Sequence, residues 1–273
     1  MKFGICAIVK NENLYLREWI EYHVKIGFDK IILYDNNDPE GEVPNVVIQD
    51  YIDKEIVTVY DIRKNEKTIK NQILTYNECL EKYKNSDIDY MAFLDIDEFV
   101  FIEKYNNIHQ LYDNMPYYKY DAVLLSWMMF GDNGHLYYEN KPVQERFTKS
   151  GDFKYNINLD LNASQMIKSI VKLKSNANFI PGNPHVPVNN ACNSWGVECS
   201  VNNYCTNLSY PNYGVIYIKH YYTKSLTEFL YRRQTNFSFY NKHLSSINSY
   251  KTLCGWTEKH EKIYQEFLKN IEQ

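Results

Sequence analysis

Glycine is scarce in this sequence, with 10 among 273 residues, and proline is scarcer still at 8. Neither GxxxxGK[ST] nor GxGxxG occurs. The chain therefore has no glycine-rich loop of the P-loop or dinucleotide type to cradle phosphate with backbone amides. No segment is rich enough in Gly, Ser or Pro to mark a linker, and no internal repeat is present. Long apolar runs are also missing. The first, residues 3–9, is closed by Lys10 and Glu12 and is too short for a signal-peptide core. No other run approaches the roughly 20 residues that span a bilayer. A dominant charge is absent too: 30 Lys+Arg stand against 34 Asp+Glu, a net of −4 with no basic stripe. That balance argues against nucleic acid as the main partner, because phosphate contacts dominate such binding. Six cysteines (Cys6, Cys79, Cys192, Cys199, Cys205 and Cys254) are not spaced as the CxxC pairs of structural zinc sites. Free thiols and a cytosolic location are expected, with peripheral association at the inner face of a membrane left open.

What is present is ordinary for a globular protein: 44% hydrophobic and 23% charged residues. The 26 tyrosines accompany abundant Lys, Asn and Ile, as coding drift in an AT-rich genome produces. Functional tyrosines are expected among Tyr204, Tyr210, Tyr213, Tyr217, Tyr221 and Tyr222, which crowd the second half of the chain ahead of Lys224.

Apolar runs at 3–9, 30–34, 56–60 and 90–94 read as buried strands. A helix capped by Asn13 and stopped at Gly27 follows the first, and a helix over 67–83 follows the third. Later strands are expected at 122–127, 169–173 and 215–221, with helices from Leu226 and over 256–271. The order predicts an α/β fold with a mostly parallel sheet. The chain reads as one domain over 1–273: a nucleotide-binding half over 1–100, an acceptor-side half over 101–235 and a helical tail over 236–273. Polar clusters at 10–12, 35–38, 61–63 and 95–98 fall where such sheets bind ligands, at the carboxyl ends of strands.

The sharpest signal is Phe93-Leu94-Asp95-Ile96-Asp97-Glu98-Phe99. In an extended strand, residues i and i+2 point the same way, so Asp95 and Asp97 are expected to present paired carboxylates. Hard cations such as Mn²⁺ or Mg²⁺ take such oxygens and leave positions open for phosphate. With no glycine-rich loop, a metal is the natural phosphate-handling device. Two enzyme classes place aspartates this way. The haloacid-dehalogenase-type phosphatases need Thr or Val where Phe99 stands, and a second Asp where Leu136 stands. The other class is the nucleotide-sugar transferases with a DxD motif.

Further residues extend this pattern. They are Cys6-Ala7-Ile8-Val9-Lys10-Asn11-Glu12, the segment Glu18–His23, Gln72 with Tyr76–Leu80, Trp127–Gly131, Gly134-His135, Glu145-Arg146-Phe147, Lys168–Val171 and Lys219–Ser225. In this order along one chain, they resemble the GT-A glycosyltransferases of the family 2 type, in the branch close to glycosyltransferase family 92. The resemblance implies a GT-A type, Rossmann-like sheet and transfer of a sugar from a nucleotide sugar, a UDP-sugar by default, with Mn²⁺ or Mg²⁺ as cofactor. It implies donor contacts from Ile8, Val9, Lys10, Glu12, Asp35, Gln72, Asp95 and Lys224. Metal contacts would come from Asp95, Asp97 and His220. Trp127, His135 and Tyr221 would meet a glycan or glycolipid acceptor, such as lipopolysaccharide or capsule. It further implies an inverting displacement with Asp132 or Glu145 as base. Glu145 could instead pair with Arg146 or Lys168 as scaffold, and Asp132 could cap a turn. The competing readings are a metal-dependent nucleotidyltransferase and a catalytically silent sugar-binding protein.

Overall fold

The computed structural model describes residues 1–66, 68–150, 166–179, 183–185, 190–199, 212–234, 247–248 and 250–271. It also gives the backbone at 154–156, 161–162, 187–188, 201–202 and 205–206. Tyr204 and Tyr210 lie outside the described residues. The chain forms two compact units, one of residues 1–127 with 165–219 and the other of 128–164 with 220–273.

The first unit opens with β1 (Phe3–Val9), α1 (Asn13–Lys25), β2 (Lys30–Asp35), α2 (Asn45–Asp53), β3 (Val57–Asp61), α3 (Ile69–Tyr83) and β4 (Tyr90–Phe93). It continues with β5 (Glu98–Ile102), α4 (Ile108–Asn114), a 3-10 turn (Pro116–Lys119), β6 (Ala122–Met129), β7 (Ile167–Lys172), β8 (Ala191–Asn193), β9 (Glu198–Cys199) and β10 (Ile216–His220). β6 and β10 run on by a residue or two into the second unit. Among the described residues these ten strands make one sheet in the order β9-β8-β6-β7-β4-β1-β2-β3, with β10 pairing β5 and β6. β1, β2, β3 and β4 are mutually parallel, with Val9 level with Asp35, Asp35 with Asp61, and Cys6 with Phe93. The α/β class expected from the sequence is therefore what forms. β7 then runs antiparallel between β4 and β6, and β8 lies parallel to β6.

The two-residue period of the strands sends alternate side chains to opposite faces. Cys6, Met91 and Phe93 pack with Ile73, Tyr76, Cys79 and Leu80 of α3. On the other face, Phe3 stacks on Tyr90 at 5.5 Å and meets Tyr112 of α4 edge-on at 4.7 Å. His23 of α1 is fully buried there against Phe99, with ring centroids 5.8 Å apart. Burial drives the His23 imidazole down to a pKa of about 3, although its ring nitrogen bonded to the Trp19 carbonyl pulls the other way.

Three local expectations are corrected. Asn13 is the first helical residue of α1 rather than its cap, and its amide side chain donates to the Val43 carbonyl at 3.1 Å. α2 was not foreseen in the sequence; it starts at Asn45, directly after Pro44, and is kinked at Ile48 (φ −135°). Asp95 and Asp97 sit in a turn after β4, not on an extended strand. The five described cysteines are free thiols; the Cys205 side chain lies outside the described residues.

The second unit packs α5 (Val143–Arg146), α6 (Leu226–Gln234) and α7 (Glu258–Ile271). Its core gathers Leu226, Phe229, Leu230, Ile247, Tyr250 and Tyr264. Among the described residues no helix is long and apolar enough to cross a membrane.

Candidate active site

The carboxyl ends of β1, β2, β3 and β4 bring the four polar clusters to one rim of the first unit. The clusters at 10–12, 35–38 and 61–63 are linked to one another. Lys10 pairs with Asp38 at 3.1 Å. The Asn11 amide, on a backbone with φ 56°, donates to Asn37 Oδ1 at 2.8 Å. Asp35 Oδ2 accepts from Arg63 Nε at 2.9 Å and Nη2 at 2.7 Å, while Oδ1 accepts from Asn37. Arg63 also donates to the Glu42 carbonyl at 2.7 Å. A guanidinium can satisfy a carboxylate and several carbonyls at once because its five N–H groups are fixed in a fork. Asp35, expected to lie near the donor base, thus holds the β2 and β3 loops together. Arg63 is the partner that sequence inspection missed. Ile8 packs on the α3 core and Val9 is buried. Glu12 is buried at the start of α1, where its carbonyl accepts from Tyr15 and Leu16. Gln72 Nε2 donates to the Tyr76 hydroxyl at 3.2 Å.

After β4 the chain turns tightly. The Glu98 amide donates to the Asp95 carbonyl at 3.1 Å, and the Asp95 amide donates to Glu98 Oε2 at 2.9 Å. Trp19 Nε1 donates to the Glu98 carbonyl at 2.7 Å, fixing the turn to α1. Three carboxylates on four residues would repel one another if left alone. A cation is already present: Lys168, reaching in from β7 with its side chain fully buried. Its ammonium lies 2.9 Å from Asp95 Oδ2 and 3.5 Å from Glu98 Oε2. Burial would lower the Lys168 pKa, but the charges of Asp95 and Glu98 more than reverse that and hold it above the ordinary lysine range. Burial likewise tends to raise Asp95; the charge and hydrogen bond of Lys168 outweigh it and keep Asp95 below the usual range. Glu98 is pushed well up by burial and by the neighbouring Asp95 and Asp97 charges. The turn therefore keeps Asp95 ionised, with its side chain 35% exposed, beside a buried Asp97.

A divalent cation is tested against this donor set. Among the described residues no three His, Cys, Asp or Glu side chains converge as a ready-made ion cage. The hard oxygens of Asp95 and Asp97 fit a cation that takes one or two carboxylates and completes its shell with phosphate and water, as Mg²⁺ does.

Trp127 ends the first unit; its ring is buried, edge-on to His185 at 5.5 Å. The other residues singled out in the sequence lie in the second unit. Asp132 is 2% exposed. Its Oδ2 accepts from the Tyr250 hydroxyl at 2.7 Å and lies 3.1 Å from His260 Nε2, and its Oδ1 accepts from the Gly134 amide at 2.9 Å. Glu145 is exposed. Its suggested scaffold partners are taken by others: Arg146 makes a bidentate pair with buried Glu228 at 2.7 and 3.0 Å, and Lys168 belongs to the acidic turn. His135 Nδ1 is 3.0 Å from Glu139 Oε1. Tyr221 is buried against Phe130 and Phe147. His220 is buried with its ring edge-on to Tyr222 at 5.9 Å, and Lys224 is buried on a backbone with φ 50°.

A mixed α/β sheet with a parallel half, helices on both faces and an acidic turn after its fourth strand is the arrangement expected from the sequence of a GT-A glycosyltransferase. The sequence model of glycosyltransferase family 92 matches residues 2–252, and the chain belongs to that family. Plant members resemble it in part. A Ricinus communis family 92 protein (RCOM_0530710) is 28% identical over 116 residues, 41% of this chain and 19% of that protein. An Oryza sativa subsp. japonica family 92 protein (Os08g0121900) is 30% identical over 97 residues, 35% of this chain and 15% of that protein. The matches thus span a fifth or less of those relatives' lengths. Among solved structures, S. aureus TarS 1–349 aligns with a TM-score of 0.37 and 16% identity, over 63% of this chain and 47% of that one. Galactosyltransferase LgtC with donor and acceptor sugar analogs aligns with a TM-score of 0.30 and 13% identity, over 63% and 58% of the two chains.

Proposed function

We propose that the chain transfers a sugar from a nucleotide sugar, a UDP-sugar, to a hydroxyl of a glycan or glycolipid acceptor, with inversion and with Mn²⁺ or Mg²⁺ bound at Asp97 and Asp95. The observation that carries this reading is the acidic turn after β4, held by a buried lysine on the ligand-binding rim of the sheet. Lys168 has a positioning role: its ammonium fixes the Asp95 carboxylate in its ionised form. Asp97 and Asp95 are the oxygen donors that hold the cation. A divalent ion bound there supplies positive charge to the leaving diphosphate. The acceptor oxygen attacks the anomeric carbon as the bond to the diphosphate breaks, and a carboxylate takes the hydroxyl proton. Of the two candidate bases, Glu145 is exposed, whereas both oxygens of Asp132 are engaged; a general base must come within hydrogen-bond reach of the proton it removes. Purified protein incubated with UDP-sugars should release UDP when Mn²⁺ is added, and Asp97→Asn should abolish that release. Release that is independent of metal, or undiminished in Asp97→Asn, would sink the reading. Wild-type transfer in Glu145→Gln would remove Glu145 as base.

A further inference from the structure

The two-residue strand β9 returns from β8 through the turn Asn193–Val197, and this turn carries an exposed tryptophan. Trp195 is 45% exposed, although the chain has only four tryptophans and the sheet around it is buried. The turn is rigidly built. Asn193 Oδ1 accepts from the Trp195 amide at 2.9 Å and the Val197 amide at 3.1 Å. The Gly196 amide donates to the Asn193 carbonyl at 2.9 Å. Tyr117 donates to the Ser194 carbonyl, and Ser194 Oγ donates to the Asn212 carbonyl at 3.2 Å.

Two of the chain's few glycines frame the indole. Gly196 has φ 74°, and a Cβ there would stand 2.7 Å from Pro116 Cγ. Gly214 has φ 94°, and a Cβ there would stand 3.3 Å from Trp195 Cζ2. Both conformations suit glycine and few other residues. The Lys104 ammonium lies 4.7 Å from the indole centroid, within cation–π range. Van der Waals packing at one edge and a cation over the ring fix the side chain while leaving nearly half its surface in water.

Strand register places this indole relative to the acidic turn. Phe93, Ser169, Leu124 and Asn193 lie in one row across β4, β7, β6 and β8. Asp95 and Trp195 each stand two residues beyond that row, at the carboxyl ends of parallel strands. Three strand spacings separate them, on the order of 15 Å. β5 spans a similar length from Glu98 to Ile102, and the next residue, Glu103, donates to the Val215 carbonyl beside Gly214.

We propose that Trp195, with Lys104, is a carbohydrate platform that holds the acceptor glycan a few pyranose rings away from the transfer point. This rests on the glycosyl-transfer reading of the acidic turn. The occupant is a saccharide because an exposed, immobilised indole offers an apolar face to the axial C–H groups of a pyranose. Lys104 adds a donor for ring hydroxyls or a uronate carboxylate. The net charge of −4 gives no basic field for a nucleic acid.

The test uses the full chain on an array of defined plant and bacterial oligosaccharides, with UDP release from UDP-sugars measured on the same preparations. Wild type should retain at least one oligosaccharide class. Trp195→Ala should lose about tenfold in affinity for it, and Trp195→Tyr should recover part of the loss. Metal-dependent UDP release without acceptor should be equal in all three, since the platform lies away from the donor turn. A wild type that retains no glycan, or a Trp195→Ala protein that binds the same glycans equally, overturns the platform. Absence of UDP release from wild type that still binds glycan through Trp195 instead overturns the transfer reading and leaves the platform as a binding site.

Discussion

Asp97 and Asp132 both follow a strand end, both sit in polar clusters, and both are about 2% exposed, yet the two regions use the carboxylate in different ways. In the first unit, three acids share one turn and are balanced by a single buried ammonium, leaving Asp95 partly open to solvent. In the second unit, one acid accepts from a tyrosine and a backbone amide and lies beside a histidine, so its valence is met internally. A cluster of acids with one carboxylate partly open to solvent marks a place for a ligand. An acid with full hydrogen bonding marks a clasp. The clasp here draws together the loop that carries Asp132, Tyr250 and α7. His260 takes part as the third helical position of α7, with its Nδ1 2.7 Å from the Thr257 hydroxyl.

The contrast can be broken most forcefully at Lys168. Lys168→Met leaves Asp95 and Glu98 without their cation and should cost about 3–5 kcal/mol in urea unfolding. Asp95→Asn added to it should restore part of the loss, because the two groups share one network. A double variant no more stable than Lys168→Met would show that the pair is not a unit. Asp132→Asn should be milder, about 1–3 kcal/mol, because one oxygen becomes an amide facing a donor. It should also loosen hydrogen-exchange protection along α7 while leaving the acidic turn unchanged. If Asp132→Asn instead keeps full stability and loses only turnover, the clasp description fails.

A graded effect is expected on acidification. His23 has a folded pKa of about 3, below its unfolded value, so the unfolded chain binds the proton more readily. Its contribution is intact above roughly pH 6.5 and falls by about 1.4 kcal/mol per pH unit toward the folded pKa. Unfolding of wild type and His23→Gln at pH 7, 6, 5 and 4 should give a shallower slope for the variant. Equal slopes would assign the acid sensitivity elsewhere.

The parallel half of the sheet was legible because β1, β2, β3 and β4 are short, mostly apolar runs closed by charged clusters, a local pattern. The four clusters on one rim followed from that. α2 was not legible: nine residues behind a proline, with a kink at Ile48, carry little periodicity. The partners were hidden for a different reason. Lys168 stands 73 residues from Asp95, and Tyr250 and His260 stand 118 and 128 residues from Asp132. Nothing local in the sequence distinguishes an acid that has found a partner from one that has not. A metal was expected beside Asp95 and Asp97; beside Asp95 the chain supplies a cation of its own, Lys168. Trp195 escaped notice because a single tryptophan in a short irregular segment has no pattern; only register shows that it shares a rim with Asp95.

The central claim is that the acidic turn after β4 binds a nucleotide diphosphate through a divalent ion. A melting experiment on wild type and Asp97→Asn, with UDP, Mn²⁺, both or neither, tests it most directly. Ligand at a hundredfold excess over its Kd stabilises the folded state by about 2.7 kcal/mol. For a chain of this size that should raise the wild-type Tm by about 5 °C. The rise should require UDP and Mn²⁺ together and should vanish in Asp97→Asn. A rise of equal size without Mn²⁺, or in Asp97→Asn, would contradict the account.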